Sequence, residues 1–169
     1  RFGKMLTDID TIAEAIATHA STCAKKLRKQ KSYAISLMVF IHTNNFREDL
    51  PQYWKNTVLH LPVPTHDTQE IVHYALAGLK TIFMNGYQYK KAGVIITEIT
   101  EGAQLGLFDS VDREKRERLQ QAIDKINGEH NQFVKLAIQR TGRDWKLKQE
   151  QLSGCYTTDI NQIIDINCR

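Results

Sequence analysis

Residues 33–42 have the sequence YAISLMVFIH, in which apolar side chains recur at every second position. A period of two is typical of a β-strand that has one covered and one open face. Helical patterns precede and follow this strand, so the chain is predicted to have an α+β fold. The side chains predicted to share the covered face are those of Tyr33, Ile35, Leu37, Val39 and Ile41.

Two segments with helical spacing flank the strand. Residues 9–29 place apolar side chains three and four positions apart, and basic residues crowd the last turn. Residues 67–70 (DTQE) have the form of a capping box, and residues 71–83 behind it keep the same helical spacing. Gly86 is expected to close this second helix.

Three further strands complete the prediction. Residues 55–61 and 90–99 alternate as the first strand does, and Pro62 and Pro64 are expected to end the former. Residues 1–7 are predicted to form the opening strand. The order β-α-β-β-α-β predicts a four-stranded antiparallel sheet with two helices on one face. The other face of the sheet is expected to stay open.

The chain is predicted to have three parts. A domain at residues 1–101 is followed by a linker at 102–110 and a C-terminal extension at 111–169. Within the extension, residues 112–127 are predicted to form a charged helix, and the rest is predicted to be irregular. The apolar stripe of that helix is predicted to contain Val111, Leu119, Ala122, Ile123 and Ile126.

The composition narrows the class of protein. With 169 residues, 41% of them hydrophobic and 25% charged, the chain is predicted to be globular. Its three cysteines are widely spaced, which argues against a disulfide scaffold or a zinc site and favours the reducing cytoplasm. No apolar run approaches the roughly 18 residues of a membrane span. The net charge of +4 permits nucleic-acid binding, and Arg1 is interpreted as a cut site.

The open face of the sheet is predicted to carry mostly small and polar side chains with lysines at its edges. Such a surface suits contact with phosphates, which needs charge and close approach but no reading of bases. Met38 and Phe40 count against a purely polar face, and ordinary solvated lysines are the alternative interpretation. The residues predicted to point outward are Ser36, Met38, Phe40, His42, Asn56, Val58, His60, Lys91, Gly93, Ile95 and Thr97.

The linker contains a short apolar peptide, Gln104-Leu105-Gly106-Leu107-Phe108. Two leucines and a phenylalanine between glycines, just after a predicted strand, favour binding to a partner protein. The alternative is local packing of the peptide against its own domain.

Several segments together resemble one family. The linker peptide resembles the bacterial sliding-clamp-binding motif Gln-Leu-x-Leu-Phe, with Gly106 where Ser or Asp is common. Residues 89–94 (YKKAGV) resemble the last strand of the little-finger domain of Y-family translesion DNA polymerases, and residues 1–4 (RFGK) are similar to its opening segment. The tail resembles the C-terminus of the UmuC branch of that family, the catalytic subunits of DNA polymerase V and their plasmid-borne relatives, at residues 145–148, 152–153 and 156–158.

The resemblance implies the non-catalytic C-terminal region of an error-prone polymerase of SOS mutagenesis and DNA repair. It implies a grip on the template-primer duplex backbone and recruitment of the sliding clamp, with tail contacts to the UmuD′ dimer and RecA. No cofactor is expected in this chain, since Mg²⁺ would bind in the missing catalytic half of the full-length nucleotidyltransferase. The implied DNA contacts are Lys4, Lys55, His60, Lys90, Lys91 and Gly93. The implied clamp contacts are Gln104, Leu105, Leu107 and Phe108.

Two alternatives come from other functional classes. A ferredoxin-like ligand-binding module would have an apolar pocket between sheet and helices and no salt-dependent DNA affinity. A protein-interaction module would keep clamp binding but would not bind DNA. A metal enzyme would need gathered histidines, but only His42 and His60 are predicted to share a sheet face, and no carboxylate is placed to join them. Asp8 and Asp10 are interpreted as helix-capping residues.

Overall fold

The chain forms three strands and three α-helices, with one additional 3₁₀ turn. The computed structural model describes residues 1–102, 112–129, 134–140, 142, 145–147 and 154. The elements are α1 (Ile9–Lys29), β1 (Tyr33–Thr43), β2 (Trp54–Thr65), α2 (Thr68–Ile82), β3 (Tyr89–Thr100), α3 (Arg113–Glu129) and the 3₁₀ turn (Ala137–Gln139).

Carboxylates cap the first two helices. The Oδ2 atom of Asp8 accepts a hydrogen bond of 2.8 Å from the backbone N–H of Thr11. The Oδ1 atom of Asp67 accepts from the backbone N–H groups of Gln69 and Glu70 at 2.7 and 3.0 Å. Each cap satisfies N–H groups that have no partner inside the helix, so the predicted caps are confirmed at Asp8 and Asp67.

The second helix ends earlier than its apolar spacing predicts. It stops at Ile82, and Phe83 has an extended backbone with φ −69° and ψ 136°. Gly86, which was predicted to close the helix, lies in the next turn with φ +91°. That left-handed conformation favours glycine, so Gly86 serves the turn into β3 and does not cap α2.

The predicted four-stranded sheet is wrong. Among the described residues the sheet has three antiparallel strands in the order β2-β1-β3. Where a first strand was expected, Leu6 exchanges backbone hydrogen bonds with Tyr89 as an isolated bridge, and Phe2 donates to the carbonyl of Lys90 at 2.9 Å. Between them Gly3 bends away and donates to the carbonyl of Trp145, also at 2.9 Å. The segment divides its hydrogen bonds between two partners and therefore forms no continuous ladder.

The second strand is longer than predicted at its C-terminal end. It continues through Pro62 and Pro64 to Thr65. The register moves from Ser36 opposite His60 to Ala34 opposite Thr65, which places both prolines in an irregular stretch. Because β2 is an edge strand, prolines at an irregularity remove no essential ladder hydrogen bond.

The first strand changes phase near its start. Leu37, Val39 and Ile41 are fully buried, as predicted, but Tyr33 and Ile35 are only partly buried. The pairing of β1 with β3 shifts between Ala34 and Ser36 and again between Ser36 and Leu37. An irregularity in the ladder turns the residues before it out of step with those after it. The predicted inward position of Tyr33 and Ile35 is therefore wrong.

The two helices of the domain cover the inward face of the sheet. Helix α2 lies close to the sheet at Gly78, where an added Cβ atom would lie 2.7 Å from Leu59 Cδ1 and 3.1 Å from Val39 Cγ2. A side chain at this position has no room, so the missing Cβ lets α2 lie directly on β1 and β2. The core side chains include Ile12 and Ile16 of α1, Leu37, Val39 and Ile41 of β1, and Ile71, Ala75 and Leu79 of α2.

The third helix docks through polar groups, which contradicts its predicted apolar stripe. Leu119 and Ile126 are 48% and 44% exposed, and the buried side chain is that of Gln120. The Oγ1 atom of Thr68 donates to Gln120 Oε1 at 2.9 Å. Helical spacing alone could not distinguish a stripe that faces the domain from one that faces solvent.

Arg28 joins α3 to the domain. Its Nε and Nη2 atoms donate to the two carboxylate oxygens of Asp124 at 2.6 and 2.9 Å. Its Nη1 atom donates to the carbonyl of His66 at 2.8 Å and to Thr68 Oγ1 at 2.9 Å. This planar fork therefore connects α1, the start of α2 and α3 at one point.

Trp145 attaches a later part of the extension. The side chain is 6% exposed, and its Nε1–H donates to Glu14 Oε1 at 3.0 Å. Its ring meets Phe2 edge-on at 6.3 Å and His19 at 5.6 Å between ring centroids. The contacts of Arg28 and Trp145 together attach the extension to α1, the start of α2 and the N-terminal segment.

Replacing Gly78 by valine is expected to destabilise the fold by about 1–3 kcal/mol, because the new side chain would push Leu59 and Val39 out of place. Urea denaturation followed by circular dichroism measures the free energy of unfolding. Ala77→Val, at the neighbouring exposed position of α2, is the control and should cost roughly 0.5 kcal/mol or less. Equal losses in both variants would contradict close packing at Gly78.

Candidate nucleic-acid interface

One side of the sheet is free of both helices that cover the other side. Alternation along the strands places three cross-strand rows here: Lys91–His42–Trp54, Gly93–Phe40–Asn56 and Ile95–Met38–Val58. We call these residues together with His60 the open face. It contains lysine, two histidines and apolar or uncharged polar groups. The three rows carry no aspartate or glutamate, but Glu98 pairs with Ser36 in the next row, to which His60 belongs.

Ser36 was predicted to belong to this surface but does not. It is buried, and its hydroxyl shares a hydrogen bond of 2.7 Å with the Oγ1 atom of Thr97. Both residues lie where the β1–β3 register shifts. Ser36 therefore adds no exposed side chain to the row that it shares with His60.

Aromatic rings cross the open face from strand to strand. The centroids of Phe40 and His42 are 5.1 Å apart, and those of His42 and Trp54 are 5.6 Å apart with a 77° angle between the ring planes. The indole of Trp54 is 72% exposed. The surface is therefore more aromatic than the small and polar side chains that were expected.

Gly93 has a packing role at the centre of this surface. A Cβ atom added there would lie 2.6 Å from Cζ of Phe40. The space above the glycine is thus occupied by the Phe40 ring, which lies across the neighbouring strand. Gly93 stays a predicted DNA contact, but the structure gives a second reason for glycine at this position.

The predicted basic contacts are spread over different parts of the domain. Lys91 lies on the open face beside His42, whereas Lys55 pairs with Ile41 in a row of the covered side. Lys90 sits at the register shift that opens β3, and its Nζ atom donates to the carbonyl of Gly3 at 3.3 Å, next to Lys4.

His60 lies far from Lys91 along the open face. His60 pairs with Ser36 and Lys91 pairs with His42, so the two side chains project from positions about 20 Å apart along β1. The lysines at the start of β3 and His60 near the middle of β2 therefore belong to different ends of the surface.

Lys91 makes the electrostatic environment of His42 positive. The pKa of His42 lies below its ordinary value of 6.5, first because the ring is partly buried and second because Lys91 is close. His42 is therefore neutral at pH 7, and its ring acts as an uncharged aromatic in the row between Lys91 and Trp54.

Sequence reasoning missed Trp54 as a surface residue. The predicted strand began at residue 55, but β2 begins at Trp54. Extending the alternation of Asn56, Val58 and His60 by one step towards the N-terminus would have placed the indole on the open face.

The described residues contain no group of three or more His, Cys, Asp or Glu side chains placed to hold a metal ion. None of the helices that the structure describes combines the length and apolar character required to span a bilayer.

A cavity of about 230 Å³ opens between α1, α3 and residues 134–139. Its lining includes Thr18, Thr22, Ile123 and Leu136. The ligand-binding alternative predicted a pocket between the sheet and the helices, and this cavity lies elsewhere.

The linker peptide lies outside the described residues. The predicted clamp contacts Gln104, Leu105, Leu107 and Phe108 fall between residues 102 and 112. Clamp binding therefore stays a prediction from the sequence.

Comparison with known proteins identifies similar chains. Residues 1–107 match the model of the impB/mucB/samB family C-terminal domain, and residues 117–166 match a domain of unknown function. The chain is 36% identical over 165 residues to protein ImpB of Salmonella typhimurium and 34% identical over 160 residues to protein SamB of the same organism. It is 30% identical over 169 residues to protein UmuC of Salmonella typhimurium strain LT2.

These relatives are longer proteins. The alignments cover 96%, 93% and 98% of this chain but 39%, 38% and 40% of ImpB, SamB and UmuC, respectively. The similarity extends through both the domain and the C-terminal extension.

Replacing Lys91 by glutamine is expected to raise the pKa of His42 towards, but not fully to, 6.5, because burial continues to disfavour the imidazolium. Two-dimensional NMR of the histidine ring signals across a pH titration measures the change. Lys80→Gln, on the exposed side of α2, is the control and should leave His42 unchanged. A pKa that falls or stays constant in Lys91→Gln would contradict the placement of these two side chains.

Proposed function

Because the chain belongs to the impB/mucB/samB family of Y-family DNA polymerases, we propose that it is the DNA-holding C-terminal region of such a polymerase and carries no catalytic residue. The whole protein would be an error-prone DNA-directed DNA polymerase of SOS mutagenesis and DNA repair. Its Mg²⁺ ions would be held by carboxylates outside this chain. A polymerase that acts on bacterial DNA would be located in the cytoplasm.

The observation that carries the proposal is the charge of the open face. Three rows of the sheet contain no acidic side chain, and with Lys91 in one of them and Lys4 and Lys90 at the adjoining edge this part of the surface would attract phosphates. Lysine supplies charge without the planar geometry that recognises a particular base, so the contact would ignore sequence. Contact that is independent of sequence suits a region that stays bound to the template-primer duplex while the duplex moves past it.

Lys55 and His60 lie away from Lys91, and this separation fits a broad DNA contact better than a compact one. Lys55 is exposed at the start of β2 on the edge of the sheet, and His60 lies towards the other end of the open face. A duplex laid across the open face would meet Lys91 at one end and His60 towards the other, and it would reach Lys55 only around the edge of β2, because Lys55 belongs to a row of the covered side. We therefore rank Lys91 above Lys55 and His60 in contribution to affinity.

We further propose that Gln104, Leu105, Leu107 and Phe108 bind the sliding clamp. The apolar side chains supply the buried contact, and Gln104 supplies a polar group to orient it. Gly106 in place of the common Ser or Asp would weaken the affinity slightly. The C-terminal extension would contact the UmuD′ dimer and RecA, and we assign no residues to those contacts.

The affinity of the chain for duplex DNA is expected to fall linearly with salt on a log–log scale and to be independent of sequence. Fluorescence anisotropy with two labelled duplexes of different sequence measures both properties. Lys91→Ala should weaken binding to both duplexes alike and reduce the salt slope by about 0.9, the value for one lost phosphate contact.

The matched control is Lys80→Ala, an exposed lysine on α2, which should bind like the unmodified chain. A flat salt response would overturn the proposal. Equal losses of DNA affinity from Lys80→Ala and Lys91→Ala would contradict the assignment of the DNA contact to the open face.

The double substitution Leu107→Ala and Phe108→Ala is expected to abolish binding to a bacterial sliding clamp, because it deletes the apolar anchors. Isothermal titration calorimetry with the purified clamp measures the affinity. Leu119→Ala with Ile126→Ala removes two exposed apolar side chains from α3 and serves as the control. Clamp affinity that survives the first pair of changes would refute the motif.

A further inference from the structure

The open face carries a feature that phosphate contact does not require. Trp54 is a large aromatic side chain at 72% exposure on an edge strand, and no described residue covers it. Beside it, His42 and Phe40 continue the line of rings to Gly93 on β3. Contact with phosphates alone would not require an indole ring at this position.

We propose that Trp54 and its neighbouring rings form a stacking site for unpaired nucleobases, so that the open face binds single-stranded nucleic acid as well as duplex. This inference rests on the proposed function, since it adds a second kind of contact to the same surface. The ligand class is an unpaired nucleotide segment, read by its base faces and not by its sequence.

The geometry favours unpaired bases over paired ones. In a duplex each base face is covered by the next pair, so only base edges and phosphates are accessible from a groove. An exposed indole can stack on a base only where the base has left the helix. The 77° angle between Trp54 and His42 means that the two rings do not stack on each other, and this leaves indole surface for a base.

The charge of the same row supports a nucleic-acid ligand over an apolar peptide. Lys91 lies across His42 from Trp54, so an ammonium group and an exposed ring flank one central side chain. Positive groups that follow the backbone, combined with rings that receive bases, are the two components of single-strand binding sites. The pKa of His42, lowered by burial, keeps the central ring uncharged at neutral pH.

Phe40 supplies a second ring deeper in the surface. It is half-buried and held over Gly93, where an added Cβ atom would meet its Cε1 atom at 2.7 Å. The packing fixes the ring, so little conformational freedom is lost when a base contacts it. Trp54 would receive the first base and Phe40 would form the floor beside it.

The two tryptophans of the chain allow a direct test. Trp54 is exposed and Trp145 is buried, so 5-fluorotryptophan labelling gives two distinguishable ¹⁹F resonances, which Trp54→Phe assigns. A thymidine oligonucleotide of about 12 residues, within the roughly 4–16-nucleotide span of single-strand sites, is expected to shift the Trp54 resonance. An abasic oligonucleotide of equal length and charge should not. An equal shift with both, or none with either, overturns the inference.

Substitution supplies the second measurement. Trp54→Ala is expected to weaken binding of the thymidine oligonucleotide by roughly 5- to 100-fold, the loss associated with one stacked aromatic, and Trp54→Phe should retain most of the affinity. Phe46→Ala is the matched control, because Phe46 is 89% exposed in the loop between β1 and β2 and belongs to none of the rows of the open face. Unchanged affinity in Trp54→Ala overturns the stacking site.

The duplex measurement separates the two proposals. If Trp54→Ala binds single strands normally while duplex binding remains salt-dependent, the stacking site fails and the DNA-holding function stands. If the unmodified chain binds neither form of DNA, both fail. A weakened single-strand affinity with unchanged duplex affinity supports both.

Discussion

The burial of one row of side chains on β1 determines the rest of the domain. Leu37, Val39 and Ile41 are fully buried beneath α1 and α2. Because side chains alternate across a strand, the same burial turns Phe40 and His42 to the opposite side. β1 also pairs with both other strands, so its register decides which residues of β2 and β3 lie beside those rings. An aliphatic row thus positions an aromatic and basic surface.

Hydrogen bonds and an ion pair, and not an aliphatic row, attach the C-terminal extension to the domain. The Arg28 side chain is only 10% exposed, and its guanidinium pairs with both oxygens of Asp124. Trp145 is buried with its N–H bonded to Glu14. Partly buried charge pairs contribute modest net stability, but an unpaired partner is costly, so they select one docking geometry. Since these contacts involve the helical side and the N-terminal segment, they leave the aromatic row on the other side uncovered.

In the proposed function, the open face combines two chemistries that would act on different parts of one ligand. Lys91 would offer charge to phosphates, while Phe40 and Trp54 would offer ring faces to bases. Family membership identifies a polymerase region, and the lysines alone would account for a grip on duplex DNA. The rings extend that proposal, because aromatic side chains in rows that contain no acidic residue would suit a strand that has left the duplex.

The sequence by itself determined the parts that depend on near neighbours. The span of α1, the caps at Asp8 and Asp67, and the inward row of β1 follow from spacing within a few turns or one strand. Only the tertiary structure decided the outcome at positions where groups distant in the sequence compete for the same hydrogen-bond partners. Gly3 bonds to Trp145 and so ends a predicted strand. The ladder shifts around Ser36 and leaves Tyr33 only partly buried, and Gln120 is buried in place of Leu119 on the docked side of α3. Local periodicity carries no information about such choices, because their energies depend on hydrogen-bond partners far away in the chain.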